Sequence, residues 1–193
     1  MRSFRLALPL SLVLLTACVT TTDRVDGLDM TKTNVTAQAH IREQVNEMRF
    51  MHDQELMQRM VQLARLGEDA TPAVVEGTKS DDWLVRLSCH WVLYAMGDRR
   101  NIPAIQAGLA DPVPAVRYQA ASALVKLGDA RGFRALVDGL ADSDLQSRFK
   151  CFQALREATG KDFGYRHDGA PEERRQAVGR WLDWLDGIKS SAL

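Results

Sequence analysis

The sequence predicts an all-α chain, a short solenoid of helical hairpins with a helical segment in front and a capping helix behind. A 31-residue period is the first reason. Arg86, Arg117 and Arg148 are each 31 apart, Gly97-Asp98 returns as Gly128-Asp129, and Gly108-Leu109-Ala110-Asp111 returns as Gly139-Leu140-Ala141-Asp142. A fixed period of roughly 20–50 residues marks a solenoid, because each unit must stack on its neighbours to bury its apolar face. The second reason is the helical spacing within each period. Val85, Cys89, Val92, Leu93 and Met96 fall on one face of a wheel, and Val116, Ala120, Ala123, Leu124, Leu127 and then Ser147, Cys151, Ala154, Leu155, Ala158 repeat it. Composition is the third: 46% hydrophobic and 26% charged over 193 residues is globular.

The chain opens on a basic Met1–Arg5 stretch followed by an apolar run, Leu6 to Leu15. Ten helical residues rise about 15 Å, half of a bilayer core of roughly 30 Å, so residues 1–17 read as a signal peptide rather than a span. Leu15-Thr16-Ala17-Cys18 resembles the lipobox of bacterial lipoprotein precursors. That resemblance implies cleavage after Ala17, acylation of Cys18 and a membrane-anchored mature chain of 193 − 17 = 176 residues. Two or more acyl chains hold stably where one holds marginally. Val19 in place of Asp after the cysteine points to the periplasmic face of an outer membrane.

Residues 18–36, with several Thr and no helical period, read as a flexible tether. Residues 37–66 are helical: Ile41, Val45, Met48, Met51, Leu56, Met60 and Leu63 are spaced by three to five, as one long helix or as two with Asp53 starting the second. Residues 67–158 hold the repeats. A partial first copy carries Pro72 and Gly77, 31 before Pro103 and Gly108. Each unit has a short helix (102–109, 132–140), a turn at Asp111-Pro112 or Asp142-Ser143, and a longer helix (113–126, 144–157), with Gly97 and Gly128 placed to end the longer helix in left-handed conformation. In residues 159–193, Pro171 suits a helix start, and Ala177, Val178, Trp181, Leu182, Trp184 and Leu185 supply a stripe to close the last unit.

The Asp-x5-Arg of 111–117 and 142–148, the Val-Arg pairs, the Ala-rich 120–124 and the Leu127-Gly128-Asp129 ending resemble the HEAT family, most closely its short phycobilisome-lyase-type repeat. Ser80 departs from the pattern where the first unit would have Asp. The resemblance implies a right-handed α-solenoid whose second helices line a concave face. It also implies a structural ladder of Asp111, Arg117, Asp142 and Arg148, with Arg86 in the same register.

Little in the chain asks for chemistry. His40, His52, His90 and His167 show no ligand spacing, and a zinc site needs three or four converging ligands; no metal, cofactor or catalytic residue is expected. Cys89 and Cys151 hold one register position two units apart, on the order of 20 Å by helix packing distances, too far for a disulfide, so both read as buried thiols. Gly160-Lys161 lacks the earlier Gly and the leading strand of a phosphate loop. Equal totals of 25 basic and 25 acidic residues argue against nucleic acid as a partner.

A surface remains. Trp83, Leu87, Trp91, Tyr94, Tyr118, Val125, Leu145 and Phe149 lie opposite the core and would form an aromatic strip in the concave groove, unless the N-terminal helix folds over and buries it. Large apolar strips mark binding sites, with Trp and Tyr as favoured anchors. The expected function is a lipid-anchored periplasmic scaffold that binds a protein or peptide partner through this strip. A homo-oligomeric envelope assembly factor is the alternative, and a lyase-related enzyme a more distant one.

Overall fold

The computed structural model describes residues 30–191, with side chains over 34–188. The leader, Cys18 and the first part of the tether lie outside them. Nine α-helices follow one another among the described residues: α1 (Met30–Glu47), α2 (Asp53–Leu66), α3 (Thr71–Gly77), α4 (Trp83–Met96), α5 (Ile102–Ala107), α6 (Pro114–Lys126), α7 (Gly132–Gly139), α8 (Leu145–Thr159) and α9 (Pro171–Ser191). No strand occurs among these residues, and no helix is long and apolar enough to cross a membrane.

Helices α2, α4, α6 and α8 lie side by side as an inner row, and α3, α5 and α7 each back the inner helix that follows them. The N-terminal segment resolves into two helices. Met51 and His52 are extended between α1 and α2, and Arg59 on α2 reaches back to Glu47 at 3.0 Å and to the Gln44 carbonyl at 3.2 Å. α1 also begins at Met30, so residues 30–36, expected to belong to the tether, are helical.

Stops and starts follow local chemistry. Gly97 and Gly128 adopt φ of 68° and 76° at the ends of α4 and α6, a left-handed conformation that costs glycine nothing. Asp82 caps α4 by accepting from the Leu84 and Val85 amides, and Asp144 caps α8 through Ser147, each satisfying N–H groups that no helical carbonyl reaches. Prolines stand in the first turns of α3, α5, α6 and α9, where a missing N–H loses nothing.

The period has a packing cause at three glycines, also 31 apart. A Cβ on Gly77 would lie 2.5 Å from the Cys89 sulfur, one on Gly139 2.3 Å from the Cys151 sulfur, and one on Gly108 2.8 Å from the Ala120 Cβ and 2.4 Å from His90 Nε2. At each crossing the short helix touches the middle of its long partner with no room for a side chain. Cys89 and Cys151 are therefore core thiols, fully buried and unpaired, and burial pushes Cys151 up to about 12 and Cys89 higher still.

Two apolar clusters meet at α6. Ala120, Ala123, Leu124 and Leu127 face the N-terminal cluster with Val92, Leu93 and Ile105, while Ala121 and Val125 face the C-terminal one with Leu136 and Leu155. A helix buried on both flanks is apolar on both, and small residues let its neighbours come close. The predicted core holds fully in the second unit. In the third it thins: Ser147 and Ala154 are half-buried and Ala158 is exposed, all three on the open concave side of α8. Trp181 of α9 is fully buried, edge-on to Phe163 at 4.7 Å and to Trp184 at 5.5 Å, and Ala177 and Leu185 complete the cap.

Candidate protein-interaction groove

The inner row encloses an open groove of about 1120 Å³. Six of the eight strip residues line it: Trp83, Leu87, Trp91 and Tyr94 from α4, Tyr118 and Val125 from α6. Trp83 is 49% exposed, whereas Trp91 and Tyr94 are half-buried against the cluster that holds Met60 and Leu63 of α2; the groove stays open, and α2 adds Met57 and Met60 as one wall. The two side chains have a helical i, i+3 spacing that was readable, but only α2's place in the inner row turns it toward the groove.

Leu145 and Phe149 are a correction. Neither lines the groove. Phe149 stands 62 residues after Leu87 and 31 after Tyr118, in a row that leans toward the following unit. No inner helix follows α8, so its ring packs instead edge-on against His167 of the 160–170 loop at 5.0 Å. Leu145, at the first turn of α8, stays on the outer edge, 44% exposed.

Beyond the aromatic wall the lining changes. Ser122 and Gln153 occupy the register position of Trp91, and Gln119 and Lys150 that of Ser88, so the middle of the groove carries amides, a hydroxyl and lysines. At its far end Ala158 on α8 stands where Leu127 and Met96 sit in earlier units, and Ala154, Ala130 and Phe133 complete the lining there. Phe133 was not visible as a groove residue, since it belongs to a short outer helix; its ring is held edge-on to Trp184 of the cap at 5.4 Å.

The polar ladder holds these helices in register through side-chain and backbone partners. Asp111 does not bond Arg117 through its side chain. Its carboxylate takes two hydrogen bonds from Arg86 of the preceding unit, at 2.6 and 3.1 Å, and one from the Val113 amide at 2.9 Å. Each arginine closes its own turn. Arg86 donates to the Ser80 and Asp81 carbonyls, Arg117 to those of Asp111 and Pro112, and Arg148 to those of Asp142 and Ser143, all within 3.1 Å. This backbone role explains why Ser80 is tolerated in the first unit: the arginine needs its carbonyl, not its side chain.

The forward link between units differs at each junction. Arg86 reaches Asp111, Tyr118 donates its hydroxyl proton to Asp142 at 2.8 Å, and Arg148 donates to the His167 carbonyl at 2.9 Å. Burial pushes the Asp111 carboxyl upward, but the Arg86 and Val113 hydrogen bonds and the Arg86 charge outweigh it and leave it below the usual range. Both junction carboxylates are occupied by structural partners, so neither is poised for acid–base work. Among the described residues no three His, Cys, Asp or Glu side chains come together as they would to hold a metal ion.

His90, buried behind this ladder on α4, is depressed to about 4, chiefly by burial, with Arg86 lowering it and Asp111 opposing. An unfolded chain binds its proton near pH 6.5, so its contribution is complete above that pH and is lost as pH falls toward 4. The loss is on the order of 3 kcal/mol. Chemical denaturation between pH 7.5 and 4 is expected to show this decline, and His90→Gln to flatten it; equal slopes in the two proteins would remove His90 as the cause.

Comparison with protein families matches residues 71–156 to the family described as HEAT repeats. The match begins at α3 and ends inside α8, covering the helices that carry most of the groove. Comparison with curated proteins finds no match to this chain. HEAT repeats suggest a helical protein-interaction scaffold.

Proposed function

From a chain that carries HEAT repeats over residues 71–156, we propose a non-catalytic adaptor that holds a protein or peptide segment in the groove of α2, α4, α6 and α8 while a lipid on Cys18 keeps it at the membrane. The observation that carries this reading is the open aromatic wall. Trp83 is exposed, and Leu87, Trp91 and Tyr94 are half-buried with one side turned to the groove, on a protein that buries Trp181 fully. Apolar groups left at a concave surface are stabilised by a partner that removes them from water, at about 25 cal/mol per Å². Anchoring would raise the effective concentration of that partner at the membrane face. The lipobox-like residues and Val19 support an address at the periplasmic face of an outer membrane.

In-cell photo-crosslinking from positions 91 and 118 tests the groove. A discrete adduct with another protein is expected. Adducts only between copies of this chain would favour the assembly-factor reading, and intramolecular links alone would mean that the groove is filled from within. The anchor is tested separately: Cys18→Ser is expected to abolish palmitate labelling, and persistent labelling would rule out lipidation at that residue.

A further inference from the structure

The apolar side of the groove is a stripe laid along one helix axis. Trp83, Leu87, Trp91 and Tyr94 line it from α4 at spacings of four, four and three, about 16 Å of helical rise, and Met57 and Met60 of α2 flank them. The far wall is polar, with Gln146, Ser147, Lys150 and Gln153 of α8 facing the same space. Between the two, the polar groups of α6 are engaged by this chain itself. Tyr118 donates its hydroxyl proton to Asp142 at 2.8 Å, Ser122 donates to the Tyr118 carbonyl at 2.9 Å, and Lys126 donates to the Tyr94 carbonyl at 3.1 Å. Among the described residues that line the groove from α6, only Gln119 keeps an uncommitted polar group. Net charge selects no occupant, since Lys126 and Lys150 balance Asp144 and Glu157 in the lining.

We propose that the occupant is an amphipathic helix of a partner protein, about three turns long, lying along α4 with its polar flank toward α8. A segment set against the stripe must satisfy its own backbone, because the wall is apolar apart from the indole N–H groups and the Tyr94 hydroxyl. An extended segment there would bury N–H and C=O groups without partners, whereas a helix pairs its own. The stripe also has a helix's period. Side chains at i, i+4, i+8 and i+11 form a ridge, and ridges of this kind pack into the matching groove of a second helix. The polarity of the two walls matches the two sides of such a helix: apolar residues meet Trp83, Leu87 and Trp91, and polar residues of either sign meet Gln146, Lys150 and Gln153. Affinity then comes from burial along α4, and the polar wall of α8 fixes which way the helix is turned. This deepens the adaptor reading and rests on it.

The test displays random 16-residue peptides against the immobilised full chain and, in parallel, against its Trp83→Ala variant, whose lost side chain is exposed and leaves the core in place. Wild-type enrichment of apolar residues at i, i+4, i+7 or i+8 and i+11, without internal proline, is expected, and Trp83→Ala is expected to weaken it. The leading peptide is expected to gain helical circular dichroism on binding. By fluorescence anisotropy it is expected to lose at least tenfold in affinity when a central residue is replaced by proline. Enrichment of alternating apolar residues, or a bound peptide that tolerates proline and gains no helicity, would overturn the helix inference and leave the groove standing. Enrichment that Trp83→Ala does not change, or no enrichment against either protein, would overturn both.

Discussion

Trp181→Ala is expected to destabilise the protein by about 3–5 kcal/mol, a large share of the roughly 5–15 kcal/mol that holds a domain of this size. The side chain is fully buried between Phe163 and Trp184, and it is the largest group that the cap inserts behind α7 and α8. Its indole N–H has no partner, so Trp181→Phe removes volume together with an unsatisfied donor and should cost much less. Denaturant unfolding of the two variants checks the difference. Truncation after Ala158 goes further. It removes Tyr165, whose hydroxyl donates to the Leu140 carbonyl at 2.6 Å, along with the whole stripe of α9, and leaves Leu136 and Leu155 open to water. Such a chain is expected to aggregate or melt without cooperativity; melting like the intact protein would show that α9 is no cap.

Gly139→Ala carries the second large effect. The new methyl would meet the fully buried Cys151 sulfur at 2.3 Å and the half-buried Tyr118 ring at 3.0 Å, and overpacking of this kind costs about 1–3 kcal/mol. Cys151→Ala alone leaves a small cavity. Combining the two lets the methyl occupy the space the sulfur vacates, so the double variant is expected to be more stable than the sum of the single losses predicts, by at least about 0.5 kcal/mol. Strict additivity in denaturation measurements would mean that the glycine is required for some reason other than this contact.

Much of this architecture was legible because a repeat states each feature several times. One Gly-Asp pair predicts little, whereas Gly97-Asp98 and Gly128-Asp129 at one spacing place two helix ends, and both proved left-handed. The cap was readable from Pro171 and the Trp181 stripe. What the period could not convey lies where it breaks or where units meet. The break at Met51–His52 contains neither glycine nor proline, so a second helix starting at Asp53 was one of two readings, and the packing of α2 against α4 decides for it. Leu145 and Phe149 were placed in the groove by extrapolating a row past the point where a further inner helix exists to wall them in. The family resemblance named the members of the ladder, Asp111, Arg117, Asp142, Arg148 and Arg86, but not the partner of the Asp111 carboxylate. The actual partner, Arg86, is 25 residues away, one period less the six-residue turn spacing, and that arithmetic was available from the repeat itself.

The three unlike junctions have a consequence for how the chain assembles. Identical repeats invite mistakes during folding, since any unit can dock on any other and neighbouring molecules can exchange them. Here an ion pair joins the first long helix to the second unit, a phenol–carboxylate bond joins the second to the third, and an arginine–carbonyl bond joins the third to the cap. A stack that skipped α6 would set Arg86 against a carboxylate whose own junction partner is Tyr118. A stack that ended early would leave Arg148 with no loop carbonyl to meet. Unit order is therefore written into the joints as well as into the backbone, and a shuffled or register-slipped molecule is recognisable by its unpaired polar groups.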